Sequence, residues 1–205
     1  LTDFEYLIPY AAVCALLENS ATDRDCADFG LLLAERQHLS VLGALGVMLS
    51  QCPDLRSAIQ QVTQHIHLHN QAERWTFIEQ GEWIRCTRCE LYPGKIQNIQ
   101  MREMAVLDAV ILMRNLCGSD FKPLSIHFTH APLANPRVYY RHFKADVLFN
   151  QAFDGVLFDP KYLNREIAGA DEGFRQALDQ YLTQLELHFA DDFPGRIRAV
   201  IQQML

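Results

Sequence analysis

Hydrophobic and polar positions along the chain fall into two regimes, and the period changes near Asn70. Before that point apolar residues recur every three or four positions, the spacing of one helical face. Tyr6, Tyr10, Val13, Leu16 and Leu17 form such a stripe around Pro9, a residue suited to the first turn of a helix. Asp28 stands where it can cap a short helix over Leu31–Glu35, and Ser40 where it can cap one containing Leu42, Leu45, Val47, Met48 and Leu49. Gly43 and Gly46 inside that segment each cost about 1 kcal/mol against alanine, so close packing against a neighbour is their expected reason. Pro53 opens a further helix to about His65, with Leu55, Ile59 and Val62 inward.

Beyond Asn70 the alternation of Trp75 and Phe77 with polar residues has period two. A turn at Gln80–Gly81–Glu82 followed by Trp83–Leu91 predicts a β-hairpin. Met101–Leu116 is a strongly apolar helix stopped by Gly118. Leu124–Phe128 predicts a strand, with Ser125 and His127 on the face opposite Ile126. Pro136–Phe143 predicts a short helix, and Val147–Phe149 and Val156–Phe158 two strands about a turn at Asp154–Gly155. Asp159–Pro160 begins a closing helix, and Asp171–Phe189 forms a long one. The class expected is α+β: N-terminal helices, an antiparallel sheet with interspersed helices, and a long C-terminal helix.

Length and composition suit one domain with appendages. The 205 residues are 49% hydrophobic and 21% charged, a mixture that builds a real core. A net charge of −7 with no basic block argues against nucleic-acid binding by these residues alone. No apolar run reaches the roughly 18–20 residues of a membrane span, and no basic-flanked signal segment is present. The six cysteines are scattered among apolar neighbours and read as reduced cytosolic thiols, not a disulfide framework.

One stretch carries more than periodicity. Asp28 to Asn70 holds Phe29–Gly30, then Glu35, then Gly43 and Gly46, then Cys52–Pro53–Asp54–Leu55. Further on come Pro123–Leu124–Ser125–Ile126–His127–Phe128, Tyr139–Tyr140–Arg141–His142–Phe143, Val147–Phe149, Leu157–Phe158–Asp159 and Leu163. In order and spacing this resembles the N-terminal ligand-sensing domain of AraC/XylS-type bacterial transcription regulators, in the subgroup of ornithine-utilisation-type regulators. The likeness runs over residues 8–188, with Cys52 where the family usually has serine. It implies a sensing and dimerisation domain over 1–190, with 191–205 as linker and start of a DNA-binding domain absent from this chain. It further implies a homodimer that answers to a small-molecule effector, touches DNA only through that missing domain, and works in the cytoplasm.

The residues that bear chemistry admit plainer readings beside that one. His65, His67 and His69 share one side on a strand but not on a helix, and three imidazoles together could hold zinc. The competing reading is a helix end, where the dipole favours histidine. Cys86-Thr-Arg-Cys89 lies in a strand, which turns residues three apart to opposite faces, so a redox or zinc pair is not expected. No nucleophile elbow, phosphate loop, HExxH or helical carboxylate pair is present, and catalysis has no support. Aromatic side chains with one or two charges suit an amphipathic metabolite, which makes His67, His69, Trp75, Arg85, Tyr139 and Arg141 the candidate ligand-binding residues. Neither metal nor cofactor is expected. Leu178, Leu182, Leu185 and Phe189 form a near-heptad stripe, either a dimer seam or a face packed on the domain itself. The rival to the sensor is a stand-alone metal-binding protein or small-molecule enzyme using His65, His67 and His69.

Overall fold

The computed structural model describes residues 8–92 and 94–191, with side chains as far as Gln184. Helix α1 (Tyr10–Asp23) follows Pro9, and its buried side is Cys14, Leu17 and Ala21. Leu16, expected inward, is 65% exposed, because a spacing of one residue from Leu17 turns it about 100° away. Helix α2 (Phe29–Ala34) begins after Asp28, but the Asp28 carboxylate makes no capping hydrogen bond and is committed to another helix, described below. The segment expected as one helix from Ser40 is two pieces: a 3-10 turn over Leu39–Leu42 and helix α3 (Ala44–Ser50). Gly43 separates them at φ +56°, a conformation that L side chains rarely adopt. Gly46 lies inside α3, where an added Cβ would come to 2.1 Å from the Leu39 carbonyl oxygen. Close packing thus explains Gly46, and backbone conformation explains Gly43.

Helix α4 (Leu55–His65) is capped by Asp54, whose side chain accepts from the Ser57 backbone N–H. Strands β1 (Glu73–Gln80) and β2 (Trp83–Glu90) form the expected hairpin about Gly81. Helix α5 (Ile99–Cys117) follows and ends at Gly118. Strand β3 (Ser125–His127), helix α6 (Pro136–Phe143) and strand β4 (Val147–Leu148) lead to β5 (Asp154–Phe158). Asp154 and Gly155 lie inside β5, so β4 and β5 do not form a hairpin. The strand order is β1-β2-β5-β3-β4, with β4 added parallel at the edge and every other pair antiparallel. Gly155 is required where β5 meets β2, since a Cβ there would fall 2.1 Å from the Cys86 carbonyl oxygen. Asp159 and Pro160 start only a 3-10 turn, and α7 (Glu172–Asp191) is the long helix.

The fold is α+β. Ile84, Cys86, Ile126, Val156 and Phe158 look from the sheet toward Val106, Leu107, Val110 and Met113 of α5, and together they form the main core. The register sends Arg85, Thr87, Cys89, Leu157 and Ser125 to the other face, which is half-buried. Cys86 and Cys89 accordingly point apart, and all six cysteines are unbridged thiols. Among the described residues no helix is long and apolar enough to cross a membrane.

Candidate functional site

The fully buried residues of helix α5 are apolar from Ala105 to its end, but its first turns carry Gln100, Arg102 and Glu103 into the protein. Gln100 is a docking residue. Its side-chain oxygen accepts the Gly30 N–H at 2.7 Å, its amide donates to the Ala27 carbonyl at 3.0 Å, and its backbone N–H donates to Glu18 at 2.8 Å. Any Cβ at position 30 would sit 2.2 Å from the Gln100 carbonyl oxygen. The Phe29–Gly30 pair is therefore what lets α2 lie against α5. Glu35, at the end of the same helix, accepts from His142 Nδ1 at 2.7 Å, while Asp28 meets His142 Nε2 at 3.2 Å and Arg141 at 2.9 Å. Asp28, Gly30 and Glu35 thus bind α2 to α5 and α6.

Two buried polar groups flank the head of α5. On the β2 side, Arg88 donates to Glu73 at 2.5 Å, to Tyr10 at 2.8 Å and to Glu90 at 3.3 Å. Burial works against the Arg88 charge, but Glu73 and Tyr10 outweigh it and hold the guanidinium protonated. Burial also pushes the Tyr10 hydroxyl up to about 12. Every one of these groups has a partner, and the cluster fastens α1 to the hairpin.

The second group lies between α5, the loop after β3, and α6. The Glu103 side chain has no exposure. Its Oε1 accepts from the Tyr139 hydroxyl at 2.8 Å, and that hydroxyl in turn accepts from the Leu133 N–H at 3.0 Å. Glu103 Oε2 is buried with no hydrogen-bond partner. Facing the same carboxyl at 3.7 Å is His130 Nε2, also buried and unmatched. The neighbouring Arg102 donates through Nη1 to Thr129 at 2.9 Å and lies 3.8 Å from Asp154, while its Nε makes no hydrogen bond and lies 4.0 Å from Glu90. Asp154 accepts from both Thr129 donors, at 2.7 and 3.0 Å. Aromatic rings close the surroundings: Phe128 is 4.9 Å from the His130 ring, and Phe149 is 5.7 Å from His130 and 4.7 Å from Tyr139.

Burial shifts the titrations here. It pushes Glu103 up to about 8 against the opposing Tyr139 hydrogen bond, with Glu18 and Asp28 adding to the rise. Burial lowers His130, so its ring is neutral near pH 7. Buried polar atoms are nearly always matched by protein, water or ligand. Three unmatched ones on Arg102, Glu103 and His130 are what mark this place. By contrast, a half-open groove of about 360 Å³ at the other end of α5, lined by Leu39, Ser50, Leu116, Cys117 and Arg165, has no unmatched buried side-chain atom among the described residues.

The candidate residues read from the sequence are dispersed. Tyr139 is fully buried and belongs to this cluster. Arg141, on the same helix, is on the surface beside Asp28. Trp75 is a core residue. Arg85 lies on the opposite face of the sheet, 5.4 Å from the Phe153 ring centre, and that ring stacks on His127 at 4.7 Å. His67 and His69 are exposed where α4 runs into β1, whereas His65 is buried at the end of α4. Among the described residues no three His, Cys, Asp or Glu side chains are grouped to hold a metal ion. On α7, which packs on α3, Leu182 is 1% exposed within its own chain and Leu178 is half-buried; the side chains of Leu185 and Phe189 lie outside the described residues. Sequence reasoning missed Glu103, His130 and Arg102. The signal was an adjacent arginine and glutamate inside a helix otherwise read as apolar.

The profile described as the arabinose-binding domain of AraC transcription regulators, N-terminal, matches residues 1–167. The chain is 26% identical over 197 residues to the HTH-type transcriptional regulator VirS of Mycobacterium tuberculosis, in strains CDC 1551 / Oshkosh and H37Rv alike. That match takes in 95% of this chain and 58% of VirS, so the chain spans a little over half of this relative. The crystal structure of the transcriptional regulator CdpR from Pseudomonas aeruginosa superposes with a TM-score of 0.66 at 17% identity, over 84% of this chain and 62% of that one. The fold is shared at that distance, and the profile match spans most of the chain: the protein belongs to the family of N-terminal arabinose-binding regulatory domains of AraC-type transcription regulators.

Proposed function

We propose that this domain senses a small polar metabolite at the head of α5 and passes the signal to a DNA-binding domain outside these 205 residues. The reading is non-catalytic and cytoplasmic, and no membrane takes part. One observation carries it: Arg102 Nε, Glu103 Oε2 and His130 Nε2 are buried without a hydrogen-bond partner, at the junction of three elements. A group bound there would tie α5, the β3–α6 loop and α6 to one another. α6 also holds α2 through His142, so the bound and empty states can differ in how α2 sits. Allosteric coupling needs only about 1–3 kcal/mol of differential affinity, which one or two charged hydrogen bonds supply. The acidic net charge leaves DNA contact to the other domain, and the regulator acts as a homodimer, whose symmetry suits paired half-sites. With Leu182 turned inward, Phe174 and Tyr181 are, among the described residues, the large exposed apolar side chains of α7 that a second copy would cover.

The test is thermal unfolding of the domain against a panel of metabolites of different chemical class. A true effector raises Tm in proportion to ln(1 + [L]/Kd), and loses that effect in Tyr139→Phe and Glu103→Ala. Stabilisation that survives both substitutions places the sensor elsewhere. If no metabolite stabilises the domain, its role is dimerisation alone.

A further inference from the structure

On the face of the sheet away from α5, one cation has no counter-charge. The strand register puts Arg85 in the middle of that face, with Ile78 of β1 and Leu157 of β5 directly opposite it. Trp83 and Thr87 flank it along β2, and Ser125 of β3 lies beyond Leu157. The chain has 25 aspartates and glutamates, and none of them occupies a position on this face of the five strands. Arginine is seldom buried unless it is paired. Among the described residues the other buried or half-buried arginines obey that rule: Arg88 meets Glu73, Arg102 meets Thr129, Arg165 meets Asp120, Arg175 meets Glu172, and Arg114 donates to the Phe143 carbonyl. Arg85 is half-buried as well, yet among the described residues it has neither an ion pair nor a hydrogen bond, and its Nε is enclosed without a partner. It lies over the Phe153 ring, which supplies no acceptor oxygen.

We propose that Arg85 anchors an oxyanion of a small molecule, a carboxylate or a phosphate whose apolar body lies along Trp83, Ile78 and Leu157. A planar guanidinium matches such a group with two parallel hydrogen bonds. Because Arg85 is half-exposed, the oxyanion reaches it from solvent without opening the core. The neighbouring His127 is 9% exposed, with Nε2 2.9 Å from the Ser125 hydroxyl and Nδ1 buried and unmatched. Burial keeps that ring neutral near pH 7, so Arg85 supplies the charge.

Other occupants match the face less well. An ammonium would meet a guanidinium and no carboxylate, and a neutral molecule would leave Arg85 without a counter-charge. A second copy laid face to face would set arginine near arginine with no acid between them. DNA needs several cations along its phosphates and is repelled by a net charge of −7. The place lies across the sheet from Glu103 and does not depend on sensing at the head of α5.

The test uses benzoate and phenyl phosphate as probes at constant ionic strength, with benzyl alcohol and benzylammonium as controls, on the 205-residue chain. Thermal shift and tryptophan emission are the readouts, since Trp83 is beside Arg85 and Trp75 is in the core. The expected result is stabilisation and an emission change with an anion only, at least about tenfold weaker binding in Arg85→Gln, and unchanged affinity in Glu103→Gln. In Trp83→Phe the emission change disappears. Binding of benzoate alone assigns a carboxylate, of phenyl phosphate alone a phosphate, and of both the oxyanion they share. Controls that stabilise as well as the anions overturn the inference, as does anion binding unchanged in Arg85→Gln, or no anion binding at all. If anion binding is lost in Glu103→Gln and kept in Arg85→Gln, the head of α5 is the anion site, so the sensing reading stands and this one falls.

Discussion

Two histidines, one before helix α6 and one on it, each face a carboxylate on an earlier element. His142 is buried on the helix itself, with Nδ1 on Glu35 at 2.7 Å and Nε2 on Asp28 at 3.2 Å. Burial pushes the Asp28 carboxyl up, but the hydrogen bonds from His142, the backbone and Cys26, together with the nearby His142 ring, hold it below its ordinary value. His130, in the loop before the helix, spends Nδ1 on a backbone carbonyl and leaves Nε2 3.7 Å from Glu103. The first site is saturated, and its carboxylates sit near the surface, where water shares their charge. The second lies deeper, its carboxyl has no exposure, and it keeps buried polar atoms without a hydrogen bond. Residue type does not separate a structural clasp from a binding site, since both pairs are histidine with carboxylate. The count of satisfied hydrogen-bonding atoms does.

The largest effect that would break this contrast is the pH dependence of stability. Glu103 binds its proton more tightly in the folded state, with a pKa of about 8 against 4.5 for the unconstrained group. Its contribution is therefore full below about pH 4.5 and is lost as pH rises through 8, up to roughly 4–5 kcal/mol across that window. Asp108, pushed up to about 7 by burial, slopes the same way, so the diagnostic quantity is a difference between two proteins. In urea titrations at successive pH values, Glu103→Gln should gain on the wild type steadily from pH 5 to 9; parallel curves would mean Glu103 is as well solvated as the His142 carboxylates.

His142→Ala comes next. It removes the partner of two carboxylates and the link between α2 and α6, at a cost of about 3 kcal/mol in urea unfolding near pH 7. A loss under about 1 kcal/mol would show that the clasp is not structural. Tyr139→Phe should cost about 1–2 kcal/mol, because it strips a donor from Glu103 and an acceptor from the Leu133 N–H. Smallest of all is His130→Phe, expected within about 1 kcal/mol of the wild type, since it removes an unmatched nitrogen and keeps an aromatic ring against Phe128. A large loss there would make His130 a second clasp and erase the contrast.

Most of the architecture was legible in the order of residues alone. The 3.6 and 2.0 periods are local consequences of how side chains leave a helix or strand, so the hairpin about Gly81, the stop of α5 at Gly118 and the extent of α6 all followed from neighbouring residues. The order of Phe29–Gly30, Glu35, Gly46 and the later aromatic motifs likewise carried the family, and several of these residues have a mechanical part in the fold. Gly30 and Gly46 permit close approach, and Glu35 holds His142. What failed locally failed for a local reason of another kind. Gly43 breaks the expected helix because of its φ, and β4 leaves its neighbour in sequence to pair with β3, a choice made by the sheet edge.

The candidate site was not legible, because matching of polar atoms is a property of three-dimensional neighbours. Trp75 and Tyr139 look alike in a strand and a helix, yet one is ordinary core and the other holds a buried carboxyl. Helix periodicity says that Glu103 sits on α5, and says nothing of His130 arriving 27 positions later to stop 3.7 Å short of it. The sequence by itself determined the class of fold, the family, and the residues able to carry charge. Only the tertiary structure decided which of those charges were paired and which were not, since the free energy of a buried polar atom depends on what the rest of the chain brings within about 3 Å of it.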